Sequence, residues 1–298
     1  MALKERDHAM KSIVRRSLLL GSMLAALVAP ASVQTASAQV MDRILKEKSI
    51  KIGYIPSPPG TIKDPASGEI KGFYVEGVRY IFKTIGVEPV FVETTWANFA
   101  AGLQSGQFDL SMAGTFATVQ RAAAVEFTKP IHYLGYSAIV KKGDERFKTL
   151  ADFNKEGIKI AVVQGGAGME YVKENFPKAT LVALGTGNLT APFVEVSAGR
   201  ADVGIEDAWQ ARRYATAQPG VTDLFQENPY NLLPIAWSVK RGNQDLINFM
   251  NTSIDFMLLT GRWERMANAY GMTGRYQDRP TLIPFGTSTE APAAAAKH

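Results

Sequence analysis

The side chains best suited to holding a charged small molecule sit at two places in the chain. The first is Thr118-Val-Gln-Arg121, which follows the apolar run Asp109 to Ala113 and then Gly114. That run is short enough for a fully buried strand, and a glycine after it lets the chain turn close to a ligand with no Cβ in the way. Thr118 stands where a helix N-cap belongs, ahead of a helical run Val119 to Val125, so N–H groups of the first turn can face an anion. Arg121 falls in that same turn, where a cation opposes the helix dipole by up to about 1 kcal/mol. The pattern reads as a site for a small carboxylate. Local sequence equally allows Arg121 to point to solvent or to pair with Glu126.

The second place is Asp207, ahead of a helical run Ala208 to Ala217, where an aspartate either caps the helix or offers its carboxylate to a cation. Gly165-Gly-Ala-Gly168 is placed like a dinucleotide loop. Tyr171 takes the position of the third glycine, however, and no acid lies about twenty residues on, so a nucleotide site is not expected. Trp96, Phe99 and Trp209 are aromatics at helical spacing, which usually serve a core.

Composition removes whole classes of chemistry. The chain has no cysteine, hence no disulfide, thiol nucleophile or thiolate metal site. Of its histidines only His132 and His298 lie beyond residue 38, so a multi-histidine metal centre cannot be built there and a Ser-His-Asp triad would have to use His132. No catalytic group, metal or cofactor is expected. At the N-terminus, Lys11, Arg15 and Arg16 precede an apolar run from Leu18 to Val28, and Ala36-Ser-Ala38 offers a cleavage site before Gln39. This is the pattern of an export signal, too short and too alanine-rich for a membrane span. Arg15-Arg16-Ser-Leu-Leu also fits a twin-arginine signal, leaving the general and the twin-arginine routes both open. Cleavage after residue 38 lowers the net charge from +5 to +2 and leaves no run of basic residues, so nucleic acid is not an expected partner. Thr287 to His298 is rich in alanine and proline and reads as a disordered tail.

The elements that must position Arg121 and Asp207 alternate between strand and helix. Ser49 to Ile55, Pro89 to Glu93 and Asp109 to Ala113 read as strands, with helices over Tyr74 to Ile85 and Ala97 to Ser105 between them. A second such unit has strands at Ile158 to Val163, Thr180 to Leu184 and Val203 to Glu206, with helices at Met169 to Asn175 and Ala191 to Ala198. Alternation of this kind predicts α/β lobes with crossover helices. Two extended apolar segments, Gly135 to Lys141 and Leu233 to Lys240, carry the chain from one lobe to the other and back. Asp245 to Leu259 and Arg262 to Tyr270 then read as amphipathic helices. Two lobes joined by two strands make a hinge with a ligand cleft between them.

Over most of residues 44 to 272 the chain resembles the periplasmic solute-binding proteins of polar amino-acid ABC transporters, family 3. Ile50-Lys-Ile-Gly53, Gly72-Phe-Tyr-Val-Glu76 and Trp96 to Asp109 resemble the family's first strand, first helix and W-x-x-L-x-x-x-L-x-x-G-x-x-D segment. Thr118-x-x-Arg121, Phe127-Thr-Lys-Pro130, Gly199-Arg-Ala-Asp202 with Asp207, and Thr260-Gly-Arg-Trp-Glu264 with Tyr270-Gly271 follow in the family's order. The resemblance implies the two-lobed periplasmic-binding-protein-like fold, type II. Its implied segments are an export signal at 1–38, lobe 1 at 39–137, lobe 2 at 138–236, a return to lobe 1 at 237–286 and the tail at 287–298. It further implies that Arg121 forks onto the α-carboxylate of an amino acid while Asp207 takes the α-ammonium from the opposite lobe. Backbone groups near Gly114 and Thr115 and at Gly166 and Ala167 would complete the anion site. Phe116, Trp96, Phe99 and Pro58 are the remaining ligand-binding candidates. A periplasmic monomer that hands its ligand to an ABC-transporter permease is the implied role.

Three positions depart from the family. Phe116 stands where Ser or Thr is usual, Gly165-Gly166-Ala167 replaces a Gly-Thr-Thr turn, and Ile55-Pro-Ser-Pro-Pro59 carries neither an acid nor an aromatic residue. These exchanges remove side-chain hydrogen bonds and add apolar surface, predicting a ligand with an aromatic or aliphatic side chain. The same departures suit a ring substrate, as in the exported cyclohexadienyl dehydratases that share this fold and act on prephenate or arogenate. Such an enzyme needs a buried general acid, for which Glu206 and Glu195 are the candidates.

Overall fold

The structure is a computed structural model that describes residues 39–272. The expected export signal and disordered tail lie outside the described residues. Helix α1 (Gln39–Glu47) leads into β1 (Ser49–Tyr54), followed by the short pair β2 (Ile62–Lys63) and β3 (Ile70–Lys71), helix α2 (Phe73–Thr84) and β4 (Glu88–Glu93). Helix α3 (Phe99–Ser105), β5 (Leu110–Phe116), α4 (Val119–Ala124) and β6 (Glu126–Phe127) come next. The long β7 (His132–Lys141) opens the second lobe, which holds β8 (Lys159–Val163), α5 (Ala167–Asn175), β9 (Thr180–Leu184), α6 (Ala191–Ser197), β10 (Val203–Asp207), α7 (Ala208–Ala217) and β11 (Val221–Asp223). The chain returns through β12 (Tyr230–Val239) to helices α8 (Gln244–Leu259) and α9 (Arg262–Ala269).

One sheet runs through both lobes in the order β4-β1-β5-β12-β7-β10-β8-β9. The three strands at each end are parallel neighbours, which no tight turn can join. Helices therefore carry the chain across: α2 and α3 in lobe 1, α5 and α6 in lobe 2. Between the two parallel sets lie β12 and β7, antiparallel to each other and to their outer neighbours. These two strands join the lobes, as the two extended apolar segments predict. Apolar side chains of lobe 1, among them Ile50, Ile52, Leu110 and Met112 of the strands and Val75 and Phe82 of α2, are buried in one cluster. Those of lobe 2 include Ile160, Val162, Val203 and Ile205. Helix α1 is tied to α8 by the Met41 N–H, which donates to Asp245 over 2.7 Å.

The structure corrects the reading of Gly114. β5 does not stop at Ala113; it runs through Gly114 to Phe116, with Thr115 and Phe116 paired to Ala236 and Ile235 of β12. Glycine is required there by a tertiary contact, since a Cβ would fall 2.2 Å from the Tyr74 hydroxyl oxygen and 2.6 Å from its ring. The register also places the Thr115 side chain. In a strand, residues 114 and 116 share one face and 115 the other, and the Thr115 hydroxyl accordingly donates to Ala113 O at 2.9 Å within the fully buried interior. Sequence reading also passed over α1, the β2–β3 hairpin, β6 and β11. The hairpin turn is marked by Asp64, whose carboxylate accepts from the Ala66 and Ser67 N–H groups, and by Gly68 at φ 73°.

Candidate functional site

Arg121 and Asp207 are brought together from opposite lobes by the carboxyl ends of β5 and β10. After β5 the Thr118 Oγ1 accepts from the Arg121 N–H at 3.3 Å, capping α4 as its sequence suggests. The Arg121 side chain then turns inward and is 7% exposed. Its Nη1 donates to Phe116 O at 3.2 Å and its Nη2 to Gly165 O of lobe 2 at 2.8 Å. Its Nε lies 4.0 Å from Glu170 Oε1, and its guanidinium carbon 5.7 Å from the Phe99 ring centroid. Neither local alternative holds: Arg121 is not in solvent, and Glu126 instead accepts from the Gly242 N–H at 3.3 Å. Burial lowers the Arg121 pKa from its ordinary value, and nearby Glu170 partly restores it.

Asp207 ends β10 and does cap α7, accepting from the Gln210 N–H at 2.9 Å. It also faces the cleft, so the two readings of its role are compatible. Burial pushes its pKa up to about 6, opposed by hydrogen bonds from the Gln210 and Trp209 N–H groups. Its neighbour Glu206 is pushed further, up to about 8, by burial and then by the Asp207 charge. The Asp207 N–H donates to Glu206 Oε1 at 3.2 Å.

Both acids and Arg121 line one small cavity of about 40 Å³ between the lobes. Trp96, Gly114, Phe116, Gly166 and Ala167 line it too, so seven of the ten sequence candidates meet at one place. Pro58 lines the adjoining cavity, and its carbonyl accepts from Gln210 Nε2 at 2.6 Å. Thr115 and Phe99 do not reach the lining. Thr115 points to the far face of β5, and Phe99 packs in the core with Trp96, Leu103 and Phe108, beneath the Arg121 guanidinium. Trp96 belongs to both the core and the cavity wall.

Leu134, Leu189 and Ile235 complete the apolar lining, and Glu170 reaches Thr118 Oγ1 across the cleft at 3.3 Å. Sequence reading singled out none of these four, because they sit on the two hinge strands, a loop and a helix whose convergence only the topology creates. Glu206, named as a possible acid, lies in the cavity. Glu195 does not; it lies on α6 of lobe 2, partly buried and paired with Arg200 at 2.7 Å. Trp96 Nε1 donates to Gly187 O at 3.4 Å, which with the Arg121–Gly165 and Gln210–Pro58 bonds ties the two lobes together. A buried guanidinium opposite buried carboxyls in an apolar chamber suits a small zwitterion. Among the described residues no group of histidine, aspartate and glutamate side chains could hold a metal ion.

Comparison with known proteins bears on this arrangement. Residues 50–273 match the pattern of the bacterial extracellular solute-binding proteins, family 3. The chain is similar to the cyclohexadienyl dehydratase of Pseudomonas aeruginosa, 25% identical over 227 residues that cover 76% of this chain and 84% of that one. It is also similar to the ABC transporter glutamine-binding protein GlnH of Bacillus subtilis, 28% identical over 208 residues, 69% of this chain and 74% of that one. Among solved structures it resembles an ancestral amino acid-binding protein, AncCDT-1, described as a precursor of cyclohexadienyl dehydratase. The TM-score is 0.69 at 29% identity, covering 77% of this chain and 98% of the other.

Proposed function

The chain belongs to the bacterial extracellular solute-binding proteins of family 3, and on that premise we propose that it captures one amino acid, or a closely related carboxylate, between its lobes. The observation that carries this reading is the placement of Arg121 from lobe 1 and Asp207 from lobe 2 in the lining of one cavity. The guanidinium fork receives the α-carboxylate, the Asp207 carboxylate receives the α-ammonium, and a ligand that spans the two favours the closed form. Phe116, Trp96, Leu134, Leu189 and Ile235 give the remainder of the ligand an apolar surround. The protein is exported, with cleavage near Ala38, works in the periplasm as a monomer, and delivers its ligand to an ABC-transporter permease. The lobe crossings fall near residues 137 and 237, inside β7 and β12. A calorimetric titration with the common amino acids is expected to give saturable one-to-one binding of at least one of them. No heat and no thermal shift with any of them would refute the reading.

One observation favours a second reading. Glu206 is a buried carboxyl that keeps its proton at neutral pH, in the same chamber as Arg121, Phe116 and Trp96, which is how a general acid facing a ring carboxylate is built. On that reading the chain is a dehydratase of the kind represented by its P. aeruginosa relative. Incubation with prephenate then yields phenylpyruvate, followed by its absorbance. A trace that stays flat at high protein concentration rules the activity out.

A further inference from the structure

A second space of about 40 Å³ adjoins the first and shares Gly114, Leu134, Leu189 and Asp207 with it. The far wall of the second space is made by Tyr74 of α2 and His132 of β7, both buried, their rings stacked at 8° with centroids 6.0 Å apart. The Tyr74 hydroxyl lies 3.3 Å from His132 Nε2. That hydroxyl stands against the β5 backbone, in the place a Cβ on residue 114 would need. Ser57 and Gln210 add polar atoms to the wall. Burial drives the His132 pKa down to about 3 and raises that of Tyr74, so both are neutral at physiological pH. Among the described residues, no charged side chain other than Asp207 lines this space.

We infer that this second space receives the side chain of the bound amino acid, and that Tyr74 and His132 select an uncharged side chain ending in a hydrogen-bonding group. The inference rests on the reading that Arg121 and Asp207 hold the carboxylate and the ammonium. With Asp207 committed to the ammonium, a charged side chain entering the space would lose its water and meet no counter-ion. A hydroxyl provides one donor and two acceptor positions, and the imidazole occupies one of these, so Tyr74 retains capacity for a ligand amide or hydroxyl. A purely aliphatic side chain leaves that capacity unused.

The test is a set of calorimetric titrations of the exported chain with L-glutamine, L-tyrosine, L-leucine, L-arginine and L-glutamate. Glutamine or tyrosine is expected to bind at least tenfold more tightly than leucine, with arginine and glutamate weakest. Tyr74→Phe and, separately, His132→Asn are expected to reduce the preference over leucine to threefold or less. If leucine, arginine or glutamate binds most tightly and Arg121→Ala still abolishes that binding, the inference is overturned and the clamp stands. If no amino acid binds, or Arg121→Ala changes nothing, the clamp itself fails and this inference with it. Should the variants not fold, the ranking in the parent protein decides alone.

Discussion

Arg121→Ala is expected to weaken binding of the preferred amino acid by about 2–5 kcal/mol, roughly 30-fold to several-thousand-fold, read by calorimetric titration. The loss has two sources. A ligand carboxylate drawn into an apolar chamber would keep no cation to face it, leaving a buried charge uncompensated. The closed form would also lose the Nη2 bond to Gly165 that joins the lobes, and Phe116 O would lose its guanidinium partner. Arg121→Lys separates the two. An ammonium keeps the charge but cannot serve two oxygens in a planar fork, so intermediate affinity is expected. Glu170 adds a constraint, because its carboxylate already lies 4.0 Å from Arg121 Nε, and a ligand carboxylate must share the guanidinium with it.

Glu206→Gln is expected to make the protein more stable at pH 8 and to flatten its stability between pH 6.5 and 8. An unfolded glutamate releases its proton near pH 4.5, whereas in the folded chain Glu206 holds its proton up to about pH 8. Between those values folding takes up a proton, so stability falls as pH rises, by at most about 1.4 kcal/mol per pH unit. Asp207 acts in the same direction between pH 3.8 and about 6. His132 acts in the opposite direction: its folded pKa is about 3 against an ordinary 6.5, so the stability it withholds at low pH returns as pH rises to 6.5. Above pH 6.5, Glu206 alone of these three still titrates. Arg121, Asp207, Tyr136 and Tyr230 are groups that face it electrostatically. Glutamine keeps nearly the same shape and can still accept from the Asp207 N–H. Urea unfolding at pH 6.5 and 8 tests this, and equal pH slopes for parent and variant would show that Glu206 is ionised in the fold.

The parts of this site legible in the sequence are those built by local rules. The Thr118 cap with Arg121 in the same turn, Asp207 ahead of α7, and the alternation of strands and crossover helices all follow from spacing and side-chain type. Gly114 was misread because its constraint comes from Tyr74, on a helix that precedes it by several elements. Thr115 was legible in principle: once β5 is extended to Phe116, strand alternation alone puts it on the opposite face. Glu170, Leu134, Leu189 and Ile235 leave no local trace. Their place beside the cavity depends on β12 and β7 lying side by side at the centre of the sheet. The tie between Arg121 and lobe 2 is equally non-local, since Gly165 contributes only a backbone carbonyl.

The central claim is that Arg121 and Asp207 hold the two ends of one zwitterion. It is tested most directly by titrating the parent and Asp207→Asn with the tightest-binding amino acid and with the same molecule lacking its α-amine. Asparagine remains a good N-cap, so α7 keeps its first turn. Removing the amine is predicted to cost the parent at least about 2 kcal/mol and the variant less than about 0.6 kcal/mol, because the group that read the ammonium is then already gone. An equal cost in both proteins, or none in the parent, would contradict the account.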